Sequence, residues 1–343
     1  MSEVTVIGVD LAKSVFQVHG AAADGTVLFR KKLTRKQFPR FMAEHPKCVV
    51  AMEACGSAYF WAREMESFGH EAKLIAPQYV KPFVRRQKND AADAEAIAEA
   101  AVRATTRFVP VKSQGQQARS ALFRTRELIV NQRTQTVNAF RAHLAEFGVV
   151  VPKGVQNVKR LVSYIGEEGH GLPAEIVEIG QQLTTQIEQL TQRIKGLEKS
   201  ILAAANASET TRRLRTIPGV GPITAVAIDS FAPEMASFAN GRNFSAWLGL
   251  VPLQRSTGGK QILGRTSKMG QKDIRRLLII GAMGRIGSKH RHPREVEPWL
   301  QDKLDRKPRM VAAIALANKM ARQIWAMLTK GEDYRNPIAG VAA

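Results

Sequence analysis

The sequence is poor in cysteine and aromatic residues and contains no long hydrophobic run. Cys48 and Cys55 are its two cysteines, and aromatic residues make up 6% of the chain. Two closely spaced cysteines are too few for a disulfide framework or a zinc ribbon. No segment approaches the ~18 uncharged apolar residues of a membrane helix, and no signal peptide is expected at the N-terminus. These absences predict no membrane partner and a reducing, cytoplasmic setting.

Positive charge is abundant and unevenly distributed. The 343 residues carry a net charge of +21, of which residues 1–100 contribute only +2 and residues 101–343 contribute +19. A strongly basic region favours a polyanionic partner, and nucleic acid fits better than a membrane surface because no basic amphipathic helix is evident. The alternative is a basic surface without a partner. With 44% hydrophobic and 24% charged residues, the chain has the composition of a globular protein.

The first third of the chain alternates between short apolar runs and helical patterns. Strands are predicted at 4–9, 14–19, 26–33, 48–52 and 72–75, with Asp24-Gly25 as a hairpin turn. Helices are predicted at 35–44, 58–68 and 90–103. Three strands in a meander followed by alternating helix and strand predict an α/β domain over 1–110.

The middle of the chain, residues 111–206, is predicted to be a helical linker with a coiled-coil segment. A long helix over 113–147 carries Arg119, Arg126 and Arg133 at seven-residue intervals on one face, which is either solvated or directed at phosphates. Residues 149–172 have a loop-like pattern. A heptad pattern follows, and we name its members the apolar seam: Ile176, Leu183, Ile187, Leu190, Ile194, Leu197 and Ile201. The seam favours a helical hairpin or a coiled-coil dimer contact. The alternative is a single helix that packs against its own domain.

The last part, residues 207–330, is predicted to be mainly α, with a loose tail over 331–343. Helices are expected at 222–230, 241–248, 272–286 and 308–329. The segment Ile217-Pro218-Gly219-Val220-Gly221 before an apolar helix is typical of a helix-hairpin-helix turn. Gly219 and Gly221 would let backbone N–H groups approach a phosphate, although a plain turn between helices is the alternative.

Four carboxylates occupy positions that indicate a metal site. Asp10 ends the first strand, Glu53 ends a later strand, and Asp90 and Asp93 share one face of a helix. Oxygen ligands of this kind suit Mg²⁺, and paired metals can promote phosphodiester cleavage. Taken singly, Asp10 could start a turn and the Asn89-Asp90 pair could cap a helix.

A loop around residue 256 is the remaining candidate. Ser256 and Thr257 precede Gly258 and Gly259, so either hydroxyl could approach a phosphate. The basic residues nearby are Arg255, Lys260, Arg265 and Lys268. Taken alone, the segment also fits a solvated flexible loop.

These motifs, in this order, resemble the DEDD transposases of the insertion-sequence one-ten family, especially its eleven-eleven subgroup. The segments that carry the resemblance are VIGVDLAK (6–13), MEACGSAYFWA (52–62), KNDAADAEAIAEA (88–100), TIPGVGPITA (216–225), FSAWLGLVP (244–252) and STGGKQILGRTSKMGQKDIRRLL (256–278). The resemblance implies an RNase H-like (RuvC-like) first domain and a transposase domain that carries a serine. It also implies RNA-guided recombination of donor and target DNA, by dimers that pair into tetramers.

The resemblance assigns roles to particular residues. It implies that Asp10, Glu53, Asp90 and Asp93 bind Mg²⁺ or Mn²⁺, and that a serine forms a covalent bond with DNA. We assign that serine to Ser256, with Thr257 as the alternative because Thr257 directly precedes the glycine. Two rival functions remain: a resolvase-type metal nuclease with no covalent intermediate, and a non-enzymatic helix-hairpin-helix protein that binds nucleic acid.

Overall fold

The computed structural model describes residues 3–84, 90–288 and 297–335. The chain divides into two compact units, Met1–Ser113 and Gln114–Ala343. The first unit is α/β and the second is mostly helical. Among the described residues, no helix is long and apolar enough to cross a membrane.

The first unit is built on a mixed sheet with the strand order β3-β2-β1-β4-β5-β6. β1, β4 and β5 are parallel, whereas β2, β3 and β6 run antiparallel to their neighbours. The strands are β1 (Val6–Leu11), β2 (Val15–Ala21), β3 (Val27–Thr34), β4 (Val49–Glu53), β5 (Glu71–Ile75) and β6 (Phe108–Val109). The meander and the turn at Gly25, which has φ +87°, agree with the sequence prediction.

Helices cover both faces of this sheet. They are α1 (Gln37–Glu44), α2 (Ala58–Ser67), α3 (Pro77–Val80) and α4 (Asp90–Val102), with a 3₁₀ turn at Lys81–Phe83. On the face of α1 and α2, the rings of Phe16, Phe38 and Trp61 meet edge to face at centroid distances of 5.1–5.3 Å. On the opposite face, the alanines of α4 pack on small residues of β1 and β4.

The second unit begins with three helices, α5 (Gln114–Ala145), α6 (Val158–Gly166) and α7 (Ala174–Ala207), with a 3₁₀ turn at Val155–Asn157. α5 and α7 are antiparallel, since Arg126 pairs with Glu198 and Arg133 bonds Thr191. Ile187, Leu190, Ile194 and Ile201 of the apolar seam are buried within the chain. The seam therefore forms a helical hairpin within the chain, and a dimer contact along it stays a prediction.

The rest of the second unit packs around one long apolar helix. α13 buries Leu316, Met320 and Ile324 against Phe244 and Leu278. The remaining elements are α8 (Glu209–Leu214), α9 (Pro222–Phe231), α10 (Gly241–Trp247), β7 (Pro252–Gln254), β8 (Leu263–Thr266), α11 (Lys272–Ser288), α12 (Pro298–Arg306) and α13 (Arg309–Lys330), with a 3₁₀ turn at Met235–Ser237.

Two segments expected to be loops are ordered elements. α6 lies within 149–172 and buries Val158, Leu161 and Ile165, which have the spacing of a helix face. The segment around Ser256, which is expected to be a loop, is a β-hairpin in which β7 pairs with β8. Its glycine pair supplies a turn that composition alone does not distinguish from a flexible loop.

Candidate active site

Asp10 and Glu53 lie side by side at the carboxyl ends of two parallel strands. Val9 of β1 pairs with Met52 of β4, and both are fully buried on the α1/α2 face. Because side chains alternate along a strand, the next residues, Asp10 and Glu53, both lie on the opposite face, where α4 packs. The strand register thus brings together two carboxylates that are 43 positions apart in the sequence.

A close approach between β1 and α4 places the acidic start of that helix beside Asp10. A methyl group at Gly8 would lie 2.2 Å from the carbonyl oxygen of Ala94 and 2.8 Å from the Cβ of Ala98. The absence of a Cβ at Gly8 and the small side chains of α4 therefore permit the contact. Asp90 begins α4 one turn before Ala94 and falls on the same side of the helix.

Asp10, Asp90 and Asp93 form a tight group, which we name the acidic cluster. One carboxylate oxygen of each lies within 4.8 Å of those of the other two. Oxygen ligands bind Mg²⁺ at about 2.1 Å and Ca²⁺ at up to about 2.6 Å, so atoms sharing one ion lie at most about 4–5 Å apart. The oxygens of the acidic cluster meet this requirement, so the residues present fit a divalent cation. The Asn89 half of the proposed cap lies outside the described residues.

Glu53 lies at the margin of the acidic cluster. Burial raises the pKa of Glu53, and the negative charge of Asp93 raises it further. A second carboxylate therefore lies close enough to disfavour ionisation of Glu53. A bound cation would relieve that repulsion, which is consistent with the predicted four-carboxylate site.

Ser256 lies in the second unit, on a hairpin that we name the serine hairpin (252–266). Gly258 and Gly259, with φ +55° and +77°, form the turn between Thr257 and Lys260. These angles are typical of the tight two-residue turn that joins the two strands of a β-hairpin. The Ser256 hydroxyl donates to Gln254 Oε1 at 3.2 Å and accepts from the backbone N–H of Ile262 at 3.2 Å. The hydroxyl is exposed and held in one orientation.

The basic residues near Ser256 are open to solvent. Arg255, Lys260, Arg265 and Lys268 are all exposed, and none forms an ion pair with a described residue. Lys268 is unusual in having φ +54° without being glycine. Four uncompensated cations on and beside one hairpin form a surface that suits phosphates.

The three arginines at seven-residue intervals on α5, which we name the arginine stripe, contact other side chains of the second unit. Arg119 pairs with Asp229 at 2.9 Å, and Arg126 pairs with Glu198 at 2.5 Å and Glu127 at 2.7 Å. Arg133 donates to the Thr191 hydroxyl at 3.4 Å. The stripe is therefore neither a solvated face nor an open row of phosphate ligands, because it faces the chain's own helices. A role for these arginines in nucleic-acid binding stays a prediction that no contact here supports.

The two glycines of the turn before α9 have different environments. Gly219 has φ +91°, and a methyl group there would lie 2.9 Å from the carbonyl oxygen of Gly281 in α11. Its lack of a side chain therefore serves packing between helices. Gly221 is exposed at the N-terminal end of α9, with no atoms within 4 Å of where a Cβ would be. Both glycines are exposed, so both remain accessible to a ligand.

One polar neighbour of the site is not apparent from motifs. Gln17 of β2 lies directly opposite Asp10 in the antiparallel pair of β1 and β2. Residues opposite each other in such a pair have side chains on the same face, about 5 Å apart. The predicted strands at 4–9 and 14–19 signal an antiparallel pair, but the sequence does not set the register that places Gln17 opposite Asp10.

Comparisons with known proteins match both units. The family model described as a transposase of the DEDD type matches residues 7–148, and the model for the IS116/IS110/IS902 transposase family matches residues 211–297. A probable family 20 transposase of Pseudomonas aeruginosa is 44% identical, covering 96% of this chain and 98% of its own length. The transposase for insertion sequence element IS1328 of Yersinia enterocolitica is 40% identical over 97% of this chain and 99% of its own. The transposase for insertion sequence element IS1111A of Coxiella burnetii is 37% identical over 98% of this chain and 92% of its own length.

Proposed function

Since the chain belongs to the IS110/IS116/IS902 family of transposases, we propose that it cleaves and rejoins the DNA of an insertion sequence with two groups of residues. The first is a divalent-cation site formed by Asp10, Glu53, Asp90 and Asp93. The second is the hydroxyl of Ser256. The observation that carries this proposal is the convergence of three carboxylates within 4.8 Å from elements far apart in sequence.

The fold of the first unit supports a phosphodiester-cleaving site. We propose that this unit has an RNase H-like fold of the RuvC type; the order β3-β2-β1-β4-β5, with β2 antiparallel to both neighbours, supports that proposal. Asp10 lies in the central strand and Glu53 ends the adjacent parallel strand. Ligand sites in α/β sheets commonly lie at the carboxyl ends of the parallel strands.

The carboxylates hold Mg²⁺ or Mn²⁺ in this proposal. Such a cation supplies charge that polarises a scissile phosphate and stabilises a departing oxygen. The contribution of the protein is to fix the carboxylates in advance: Asp10 and Glu53 through the strand register, and Asp90 and Asp93 through the contact of α4 with Gly8. Placing ligands on rigid elements limits the reorganisation that binding requires.

The Ser256 hydroxyl is the proposed nucleophile. It would attack the phosphorus, so that a new bond from Ser256 Oγ replaces the bond to the departing strand end. Exposure of the hydroxyl and the open cations Arg255 and Lys260 support this role, because developing negative charge on the phosphate needs donors nearby. Thr257 remains the competing hydroxyl, with its backbone N–H and C=O engaged with Lys260 in the turn.

A structured guide RNA encoded beside the gene and assembly of dimers into tetramers complete the proposal. The +19 carried by residues 101–343 supports a large phosphate interface. Helix-hairpin-helix geometry is proposed for α8, α9 and the turn between them, in which Gly219 and Gly221 are both exposed. The cytoplasmic setting stays a prediction.

Trapping the covalent intermediate tests the proposal. Labelled DNA that carries the ends of the insertion sequence is incubated with protein, flanking RNA and Mn²⁺, then resolved on a denaturing gel. Ser256→Ala should lose the protein–DNA adduct while still binding RNA. Thr257→Ala, a matched change in the same hairpin, should keep it. The reverse pattern would show that the hydroxyls are assigned wrongly.

Metal-dependent cleavage of DNA that forms no protein–DNA adduct would identify the rival function. A resolvase-type nuclease needs the acidic cluster alone and releases hydrolysed ends. If wild type and both variants cut DNA in Mn²⁺ and form no adduct, the serine step is refuted and hydrolysis replaces it.

A further inference from the structure

A polar row crosses three strands and runs outward from the acidic cluster. Asp10 of β1 pairs with Gln17 of β2, and Gln17 pairs in turn with Lys32 of β3. Partners in antiparallel register have side chains on the same face. Asp10, Gln17 and Lys32 therefore lie in one line across the sheet, on the face that carries α4.

The neighbouring row confirms which face this is. There Gly8 pairs with His19 and His19 with Arg30. Gly8 contacts α4, and Arg30 forms an ion pair at 2.9 Å with Glu95 of the same helix. The row of Gly8 is thus covered by α4, and the row of Asp10 is the next one along the strands.

Lys31 lies on the opposite face of the sheet. Its Nζ is 4.6 Å from the ring centroid of Phe41 in α1. Adjacent lysines in β3 therefore have different surroundings, and the alternation of the strand directs only Lys32 to the side of the acidic cluster.

The side chains of Gln17 and Lys32 are available to a ligand. Gln17 is half-buried and Lys32 is exposed. Within the described ranges, Lys32 forms no ion pair and the Gln17 amide no hydrogen bond, whereas Arg30 in the next row is paired. Two strand spacings, roughly 10 Å, separate the strands of Asp10 and Lys32. A strand of nucleic acid with one phosphate at the acidic cluster can extend along this row.

We propose that Gln17 and Lys32 bind the nucleic-acid backbone beside the phosphate held at the acidic cluster. This inference rests on the proposed function, since it takes the acidic cluster as the site of cleavage. The Lys32 ammonium pairs with a flanking phosphate, and the Gln17 amide donates to a phosphate oxygen between Lys32 and the acidic cluster. Both side chains contact substrate and set its path across the sheet.

Paired lysine variants of the full-length protein test the proposal. The affinity for a mixed-sequence DNA duplex is measured at several salt concentrations for wild type, Lys32→Gln and Lys31→Gln. Lys32→Gln should weaken binding about fivefold at low salt and reduce the slope of log affinity against log salt by about 0.9, the value for one lost phosphate contact. Lys31→Gln should leave both unchanged, because its ammonium faces Phe41. Equal changes in both variants, or no change in either, would overturn the proposal.

Kinetics of Mn²⁺-dependent DNA cleavage separate this proposal from the function on which it rests. Lys32→Gln and Gln17→Ala should raise KM several-fold with little change in kcat, since the lost contacts hold the strand before cleavage as well as during it. Unchanged KM in both variants contradicts the binding role. If Asp10→Asn still cleaves at the wild-type rate, the proposed function fails, and the salt dependence above still decides the role of Lys32.

Discussion

Gly8→Ala should damage the metal site although it alters no ligand. A Cβ at residue 8 would lie 2.2 Å from the carbonyl oxygen of Ala94. Ordinary contact requires roughly 3.5 Å, so α4 must retreat by about 1 Å. Overpacking of this kind costs about 1–3 kcal/mol of unfolding free energy. Asp90 and Asp93 would move with the helix, whereas Asp10 would stay with β1.

The displacement exceeds what a cation site tolerates. Ligand positions must hold to about 0.5 Å, and disturbing the support of metal ligands typically weakens affinity 10- to 100-fold. Mn²⁺ binding by Gly8→Ala should therefore fall at least about tenfold, measured by electron paramagnetic resonance of free Mn²⁺. Gly56→Ala is the matched control, because a Cβ there meets no atom within 4 Å. A folded Gly8→Ala protein that binds Mn²⁺ as tightly as wild type would refute this reasoning.

Two further predictions concern the second unit. Leu190→Lys puts a charge into the buried interior of the helical hairpin, so it should lower the unfolding free energy by about 3 kcal/mol in chemical denaturation. A variant that stays fully stable but elutes as a smaller species would instead favour a dimer contact along the seam. Burial works to raise the pKa of Glu297, but hydrogen bonds from Lys319 and Arg285 outweigh it and lower that pKa. This stabilisation is present above the unfolded-state pKa near 4.5 and lost as pH falls through the lower folded-state value. Glu297→Gln should therefore melt below wild type at neutral pH and approach it in acid, and a pH-independent difference would contradict the ion-pair explanation.

The sequence was most informative where one periodicity dominates. The buried strand that contains Asp10 and the alanine-rich helix beginning at Asp90 were both predictable, because neither pattern has a competing explanation. Their convergence was expected from motif order, but the cause was not. That cause is the contact of Gly8 with Ala94, which depends on the register of β1 against α4.

Long-range partners limited the remaining predictions. Arg126 has the spacing of a surface stripe, yet Glu198, 72 positions away, pairs with it. A seven-residue period shows that arginines share a face but not what that face meets. Similarly, the heptads around Leu190 indicate an apolar seam and leave open whether its partner is another chain or α5. Pairing across the sheet, which links Gln17 to Asp10, also depends on tertiary structure.

The central claim is that the acidic cluster binds the cation used in strand cleavage. Its most direct test compares Mn²⁺-dependent DNA cleavage by Asp10→Asn and Glu95→Gln. Glu95 lies on the same helix as Asp90 and Asp93 but pairs with Arg30, so it serves as a matched carboxylate control. The account predicts that Asp10→Asn abolishes cleavage and retains DNA binding, whereas Glu95→Gln cleaves normally. Full cleavage by Asp10→Asn would contradict it.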